Sequence, residues 1–154
     1  MSQLKPDDFT VIIDTREQTP ASMGNLSSEV ATLDTGDYSV KGLEQYVRLE
    51  RKSLPDLIGC IGKERERFQR ELVRLRGFQE RAVIVECTWP EVEMGQWRGK
   101  IRPNQVIGSI LRWQLEGIPF IFAGPRPKSC DIIQRLLYLS AKKYHAIHKA
   151  FKEN

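Results

Sequence analysis

The sequence predicts an α/β fold, a central mixed β-sheet flanked by helices, and three observations carry that prediction. Short runs rich in apolar and β-branched residues, at 9–13, 30–33, 46–51, 81–87 and 120–123, have the length and composition of strands. Longer segments with apolar residues at helical spacing, at 63–76, 103–116 and 129–151, lie between and after them, and strands alternating with helices pack as a sheet layered by helices. Finally, 154 residues of which 40% are hydrophobic suit one domain. A chain of this length buries roughly 68–70% of its unfolded surface on folding.

Composition narrows the setting. No run approaches the apolar length of a membrane span, and the first eight residues lack the apolar core of a signal peptide. A cytoplasmic location is therefore expected, or a nuclear one in a eukaryote. Cys60, Cys87 and Cys130 are scattered, with no close pair and no histidine beside them, so they read as buried reduced thiols and not as a zinc site. A net charge of +4 permits nucleic-acid binding without requiring it. Where the positive charges cluster decides the matter.

Taken in order, residues 1–8 are polar and expected to be flexible, which leaves 9–151 as the folded domain. The run 9–13 reads as a buried strand ending at Asp14, a position where open α/β sheets place functional groups and where an acid can also cap a turn. Pro20, Gly24 and Asn25 mark 18–28 as a loop. The run 30–33 is a strand, Gly36-Asp37 opens the next, and 41–45 turns the chain into 46–51. Ser53 and Asp56 have the spacing of a capping box, with Pro55 allowed in the first helical turn and Gly59 and Gly62 keeping that helix short.

The clearest helix is 63–76, with Phe68, Leu72 and Leu75 in one apolar stripe. Its other faces carry Lys63, Arg65, Arg67, Arg70, Arg74 and Arg76 against Glu64, Glu66 and Glu71. Helical pairs such as Glu66 with Arg70, worth about 0.2–0.5 kcal/mol each, leave a cationic surplus suited to phosphates. The run 81–87 is a strand covered on both faces, and 88–103 is expected to be a loop. That loop interleaves Trp89 and Trp97 with Arg98, Lys100 and Arg102, so its indoles can stack on bases or can anchor it to the core. A buried helix at 103–116, a last strand at 120–123 and a terminal helix to about residue 151 complete the chain. His145 and His148 read as surface residues of that last helix.

The stretch with chemistry in it is Glu50-Arg51-Lys52, preceded by Asp37. On a strand, Glu50 and Lys52 share one face while Arg51 points to the other. Two carboxylates, Asp37 and Glu50, can hold a magnesium ion that keeps several waters, and manganese can substitute. Lys52 can then orient an attacking water or stabilise a pentacovalent phosphorus, which suits phosphodiester hydrolysis. The competing reading is an exposed ion pair worth about 0–1 kcal/mol.

Gly36-Asp37-Tyr38, followed by Glu50-Arg51-Lys52-Ser53 and Asp56, resembles the GD…ERK(S/T)xxD signature of the XPF-type nucleases. These form the excision-repair cross-complementation group four branch of the PD-(D/E)XK superfamily, also seen in archaeal Hef. The run 11–17, with Asp14, Arg16 and Glu17, is similar to the family's opening strand, and Arg65 with Gln69 matches its R-x-x-x-Q. The resemblance covers about residues 9–145. It implies a restriction-endonuclease-like fold and a metal-dependent endonuclease cutting flap, fork or other branched DNA in repair or recombination.

By the same resemblance, Asp37 and Glu50 bind the metal, Asp14 joins or supports them, and Lys52 assists the water. Arg16, Glu17, Arg65 and Gln69 belong to the catalytic site. Arg51, Arg67, Arg70, Arg74, Arg98, Lys100 and Arg102 are the expected DNA-binding residues. Three features depart from the family: a short 18–28 segment, a longer 41–45 turn, and the lack of a helix-hairpin-helix module in the sequence. A homodimer or a partner subunit is an expectation that follows from the last. A non-catalytic DNA-binding or scaffold subunit, and a resolvase or duplex nuclease of the same superfamily, are the alternative readings.

Overall fold

The protein is described by a computed structural model covering residues 3–153. Met1 and Ser2, part of the expected tail, lie outside the described residues. Among those described, six strands form one mixed sheet: β1 (Thr10–Asp14), β2 (Ser27–Ala31), β3 (Tyr38–Val40), β4 (Val47–Lys52), β5 (Glu80–Val85) and β6 (Phe120–Phe122). Their order across the sheet is β2-β1-β3-β4-β5-β6. Strand β3 runs antiparallel to both of its neighbours, β1 and β4, while the β1–β2, β4–β5 and β5–β6 pairs are parallel. The parallel pairs need crossovers, and helices supply two of them.

Four helices cover one face: α1 (Leu54–Ile61), α2 (Arg65–Leu75), α3 (Trp89–Met94) and α4 (Pro103–Leu115). They close a core with Val83 and Val85 of β5. The long α5 (Arg126–Glu153) covers the other face, packing on Val11, Val47, Leu49, Ala82 and Ile84. Strand β5 thus alternates between two cores, the pattern of a strand buried on both sides. Cys60, Cys87 and Cys130 are buried and free, and His145 and His148 are exposed on α5. No described helix is long and apolar enough to cross a membrane.

Three local expectations need correction. Residues 3–8 are held rather than loose, because Pro6–Asp8 forms a 3₁₀ turn, Leu4 is buried, and the Tyr138 hydroxyl donates to the Leu4 carbonyl at 2.7 Å. The second strand lies at Ser27–Ala31 instead of 30–33; it is an exposed sheet edge, so hydrophobicity does not mark it. The expected 88–103 loop contains α3. Thr88 caps it by accepting from the Glu91 N–H at 3.2 Å, Pro90 sits in its first turn, and Gly95 ends it in the left-handed conformation.

Candidate active site

Three strand ends converge at the site. The backbone N–H of Asp14, at the end of β1, donates to the Asp37 carbonyl at 2.8 Å, and the Asp37 N–H donates to the Leu49 carbonyl of β4 at 2.7 Å. Gly36 makes that approach possible. Its φ is +79°, and a Cβ there would lie 3.2 Å from the Leu49 carbonyl oxygen and 3.3 Å from the Arg48 Cβ. Buried Arg48 props the same turn, its Nη1 donating to Asp34 Oδ1 at 2.5 Å and to the Thr35 carbonyl at 2.6 Å while its guanidinium lies over Phe78. Asp37 is thereby delivered to the face of β4 that carries Glu50 and Lys52.

On that face, Lys52 Nζ lies 3.4 Å from Glu50 Oε1 and 5.3 Å from the Phe68 ring centroid. Asp37 Oδ2 accepts the Arg51 backbone N–H at 2.8 Å. Burial, partly offset by that hydrogen bond, pushes Asp37 up to about 6. Burial and then the charge of Asp37 push Glu50 up to about 8, and Glu71 adds to the effect. Burial alone would lower the Lys52 ammonium, but Glu50 and the other nearby negative groups outweigh it and hold the lysine charged. Two buried carboxylates therefore share a single lysine, a deficit of positive charge.

A divalent cation fits that deficit. Among the described residues no three His, Cys, Asp or Glu side chains converge closely enough to enclose a metal by themselves. Two carboxylates in an open cleft are nevertheless what magnesium takes when it keeps waters and accepts phosphate oxygens as its other ligands. Asp14 lines the same cleft and is already hydrogen-bonded. Its Oδ1 accepts from the Leu33 N–H at 2.8 Å and its Oδ2 from Arg16 Nε at 2.7 Å, so both oxygens are engaged. Asp14 orients Arg16, which projects two-thirds exposed into the cleft.

The cleft has a volume of about 620 Å³, with Asp14, Arg16, Asp37, Glu50 and Lys52 on the sheet side. Helix α2 forms the opposite wall through Arg67, Phe68, Glu71 and Arg74. The expectation that Arg65 and Gln69 enter the site is corrected by the rotation of that helix. With Phe68, Leu72 and Leu75 buried, helical geometry puts Arg67, Glu71 and Arg74 on one flank and Arg65 and Gln69 on the other. Arg65 instead donates to Ser109 Oγ at 2.8 Å and lies over the Trp113 ring, while Gln69 and Arg70 line a separate outer groove.

Arg51 and Glu17 are also reassigned, because both lie behind the sheet. Arg51 Nε donates to Glu17 Oε2 at 3.0 Å and its Nη1 to Glu86 Oε1 at 2.5 Å. Tyr38 donates to Glu17 at 2.6 Å and Ser129 donates to Glu86 at 2.7 Å. An arginine so occupied cannot hold a DNA phosphate, and Glu17 does not line the cleft. Trp89 packs edge-on against Phe122, and Trp97 donates its indole N–H to the Ile101 carbonyl at 2.8 Å, so both indoles anchor their segment. Arg98, Lys100 and Arg102 are exposed outside the cleft.

Sequence reasoning missed Glu71 and Gln18 as cleft residues and Glu86, Tyr38 and Ser129 as partners of the rear network. Glu71 lies three residues after Phe68 on the flank that also holds Arg67 and Arg74, but nothing in the sequence marks that flank as the one facing the cleft. Glu86 carries no mark either, because its partner is 35 residues away.

The mixed sheet with carboxylates and a lysine at its strand ends defines a restriction-endonuclease-like fold. The model of the ERCC4 domain matches residues 13–136, and the chain belongs to that family. Among solved structures it is similar to XPF from Aeropyrum pernix, with a TM-score of 0.69 and 23% identity over 85% of this chain and 61% of that one. A second structure of that protein, in complex with DNA, matches with the same TM-score and 22% identity over 88% of this chain and 66% of the other. The chain thus spans less than two thirds of the length of either solved chain. No curated protein matches it.

Proposed function

We propose that this chain is a divalent-cation-dependent DNA endonuclease acting on flap, fork or other branched substrates, in repair or recombination. The observation that carries the reading is the meeting of Asp37, Glu50 and Lys52 in one cleft whose opposite wall bears Arg67 and Arg74. Family membership supports the nuclease chemistry, and the similar XPF structure in complex with DNA supports the substrate. Preference for branched DNA follows from the family resemblance.

Asp37 and Glu50 would hold the cation, magnesium or manganese, which when bound would acidify the attacking water and neutralise phosphate charge. Lys52, held charged beside Glu50, orients the water and stabilises negative charge gathering on the phosphoryl oxygens. Arg16 is fixed by Asp14 with one face free, so it can hold a non-bridging oxygen next to the cut. Arg67 and Arg74, two turns apart on α2, bind flanking phosphates of the same strand. Exposed Leu111 and Leu115 of α4 give a surface for a second copy or a partner subunit, which sedimentation of the purified chain tests directly.

The deciding experiment incubates the purified chain with end-labelled 3′-flap, forked, duplex and single-stranded DNA, with magnesium, manganese or chelator, beside Lys52→Ala. Cutting that needs the metal, favours flap or fork and disappears in the variant is expected. Binding without any cutting would overturn the catalytic reading in favour of a scaffold subunit.

A further inference from the structure

Outside the cleft, positive charge gathers where the turn between α1 and α2 meets the segment that leads into α4. Lys63, Lys100 and Arg102 are all exposed there, and none pairs with a carboxylate among the described residues. The segment is rigidly seated. Trp97 holds the Ile101 carbonyl, and the Arg102 N–H donates to Gln105 Oε1 at 2.8 Å as α4 begins. Ile101 lies so close over Gly62 that a Cβ at position 62 would come within 2.5 Å of its Cδ1. Lys100 and Arg102, either side of Ile101, are thereby presented beside Lys63, which follows Gly62.

Lys63 links this surface to the catalytic cleft. Arg67 lines the cleft and also the groove that runs around Gly62, Lys63 and Arg70. From Arg74 to Arg65, its first residue, α2 extends roughly 14 Å at about 1.5 Å per residue, and Lys63 lies in the turn just before it. That helical length is the rise of about four base-pair steps at ~3.4 Å each. Proteins that grip single strands offer exposed aromatic rings to the bases, whereas here Trp89 and Trp97 are turned inward and the exposed groups are cations.

We propose that Lys63, Lys100 and Arg102 form a second nucleic-acid site that docks a duplex arm of the substrate through its phosphates, without reading sequence. The inference rests on the reading of the cleft as a DNA site, but it does not require that the cleft cut. Because the contacts are rigidly held and sequence-independent, their signature is the salt dependence of duplex binding.

The test measures fluorescence anisotropy of a labelled 20-base-pair duplex and a 20-nucleotide single strand across a salt series, in chelator. It compares the native chain, Lys63→Gln/Lys100→Gln/Arg102→Gln, and a charge-matched control, Lys142→Gln/Lys149→Gln/Lys152→Gln, on α5 across the sheet. Each lost phosphate contact lowers the slope of log affinity against log salt by about 0.9, so the site variant should lose about 3 on duplex, more than on single strand, and the control should lose nothing. An unchanged slope in the site variant, or an equal fall in the control, overturns the proposal. So does an equal loss on the two probes. Cutting of flap DNA with magnesium is scored separately on the native chain. Its failure counts against the cleft reading alone, while normal cutting with an unchanged slope counts against the second site alone.

Discussion

The two faces of β4 carry the same chemical inventory and use it in opposite ways. Behind the strand, Arg51 meets Glu17 and Glu86; in front of it, Lys52 meets Glu50 and Asp37. Each cluster has two carboxylates and one cation. In the rear cluster the guanidinium fork bonds both carboxylates, Tyr38 and Ser129 donate to what remains, and the charged side chains are only 10–13% exposed. In the front cluster a single ammonium reaches one carboxylate at 3.4 Å, and Asp37 receives one backbone N–H. A saturated buried network holds structure, and an undersaturated one keeps its affinity for a ligand that brings positive charge.

The sharpest way to break this comparison is to truncate the two cations separately. Lys52→Ala should lower the rate of DNA cutting by roughly 10²- to 10³-fold, the loss typical of one charge-stabilising donor, with little change in melting temperature. Arg51→Ala should instead cost about 3–5 kcal/mol of stability, because it leaves Glu17 and Glu86 buried and unpaired. Thermal melts beside cleavage assays separate the two. Similar melting losses in the two variants would mean that the front cluster is structural as well.

A smaller effect follows from Gly36. Gly36→Ala forces a side chain into the left-handed region against the Leu49 carbonyl, a cost of about 1–2 kcal/mol before any clash is counted. It should weaken manganese binding by displacing Asp37, which calorimetric titration in the absence of DNA can read.

The pH dependence sharpens the contrast further. Asp37 near 6 and Glu50 near 8 both lie above their ordinary carboxylate values of 3.8 and 4.5. The folded chain therefore holds protons that the unfolded chain releases. In chelator, this contribution to stability is complete below pH 3.8 and is lost as pH rises through about 8. Manganese affinity should run the other way, rising across the interval from about 6 to about 8 as the carboxyls ionise. At pH 8.5 in chelator, Glu50→Gln should raise the melting temperature, by about 2–4 °C for each kcal/mol of repulsion removed. A melting temperature that ignores pH across this range would contradict the electrostatic account of the cleft.

The mildest change is Arg74→Gln, which should reduce the salt slope of DNA binding by about 1 and leave the melt unmoved.

Much of this architecture is legible in the chain. The apolar runs of β1, β4 and β5 and the Phe68, Leu72, Leu75 stripe of α2 are unambiguous, and Ser53 caps α1 as its spacing suggests, accepting from the Asp56 N–H at 3.2 Å. Strand β2 hides because an exposed edge needs no hydrophobic alternation. Helix α3 hides because six residues are too few to show a period, although Thr88, Glu91 and Gly95 spell its two ends. The flank of α2 that would face the cleft could not be chosen beforehand, since arginines and glutamates surround the stripe on every side.

The division between the two sources of information is physical. By itself the sequence determines that Glu50 and Lys52 project together and Arg51 away from them, since alternation along a strand is a local property of the backbone. It also determines the helix ends, where the capping groups lie within a few residues of the amides they satisfy. Only the tertiary structure decides which acids each cation meets. Asp37 reaches Glu50 through an antiparallel pairing that Gly36 permits, and Arg51 finds Glu17 and Glu86 at separations of 34 and 35 residues. The seating of Phe68 against Trp113 sets the rotation of α2 and so sends Arg67 and Arg74 to the cleft and Arg65 away from it. Those outcomes depend on sheet register and core volume, which belong to the whole fold and to no single stretch of it.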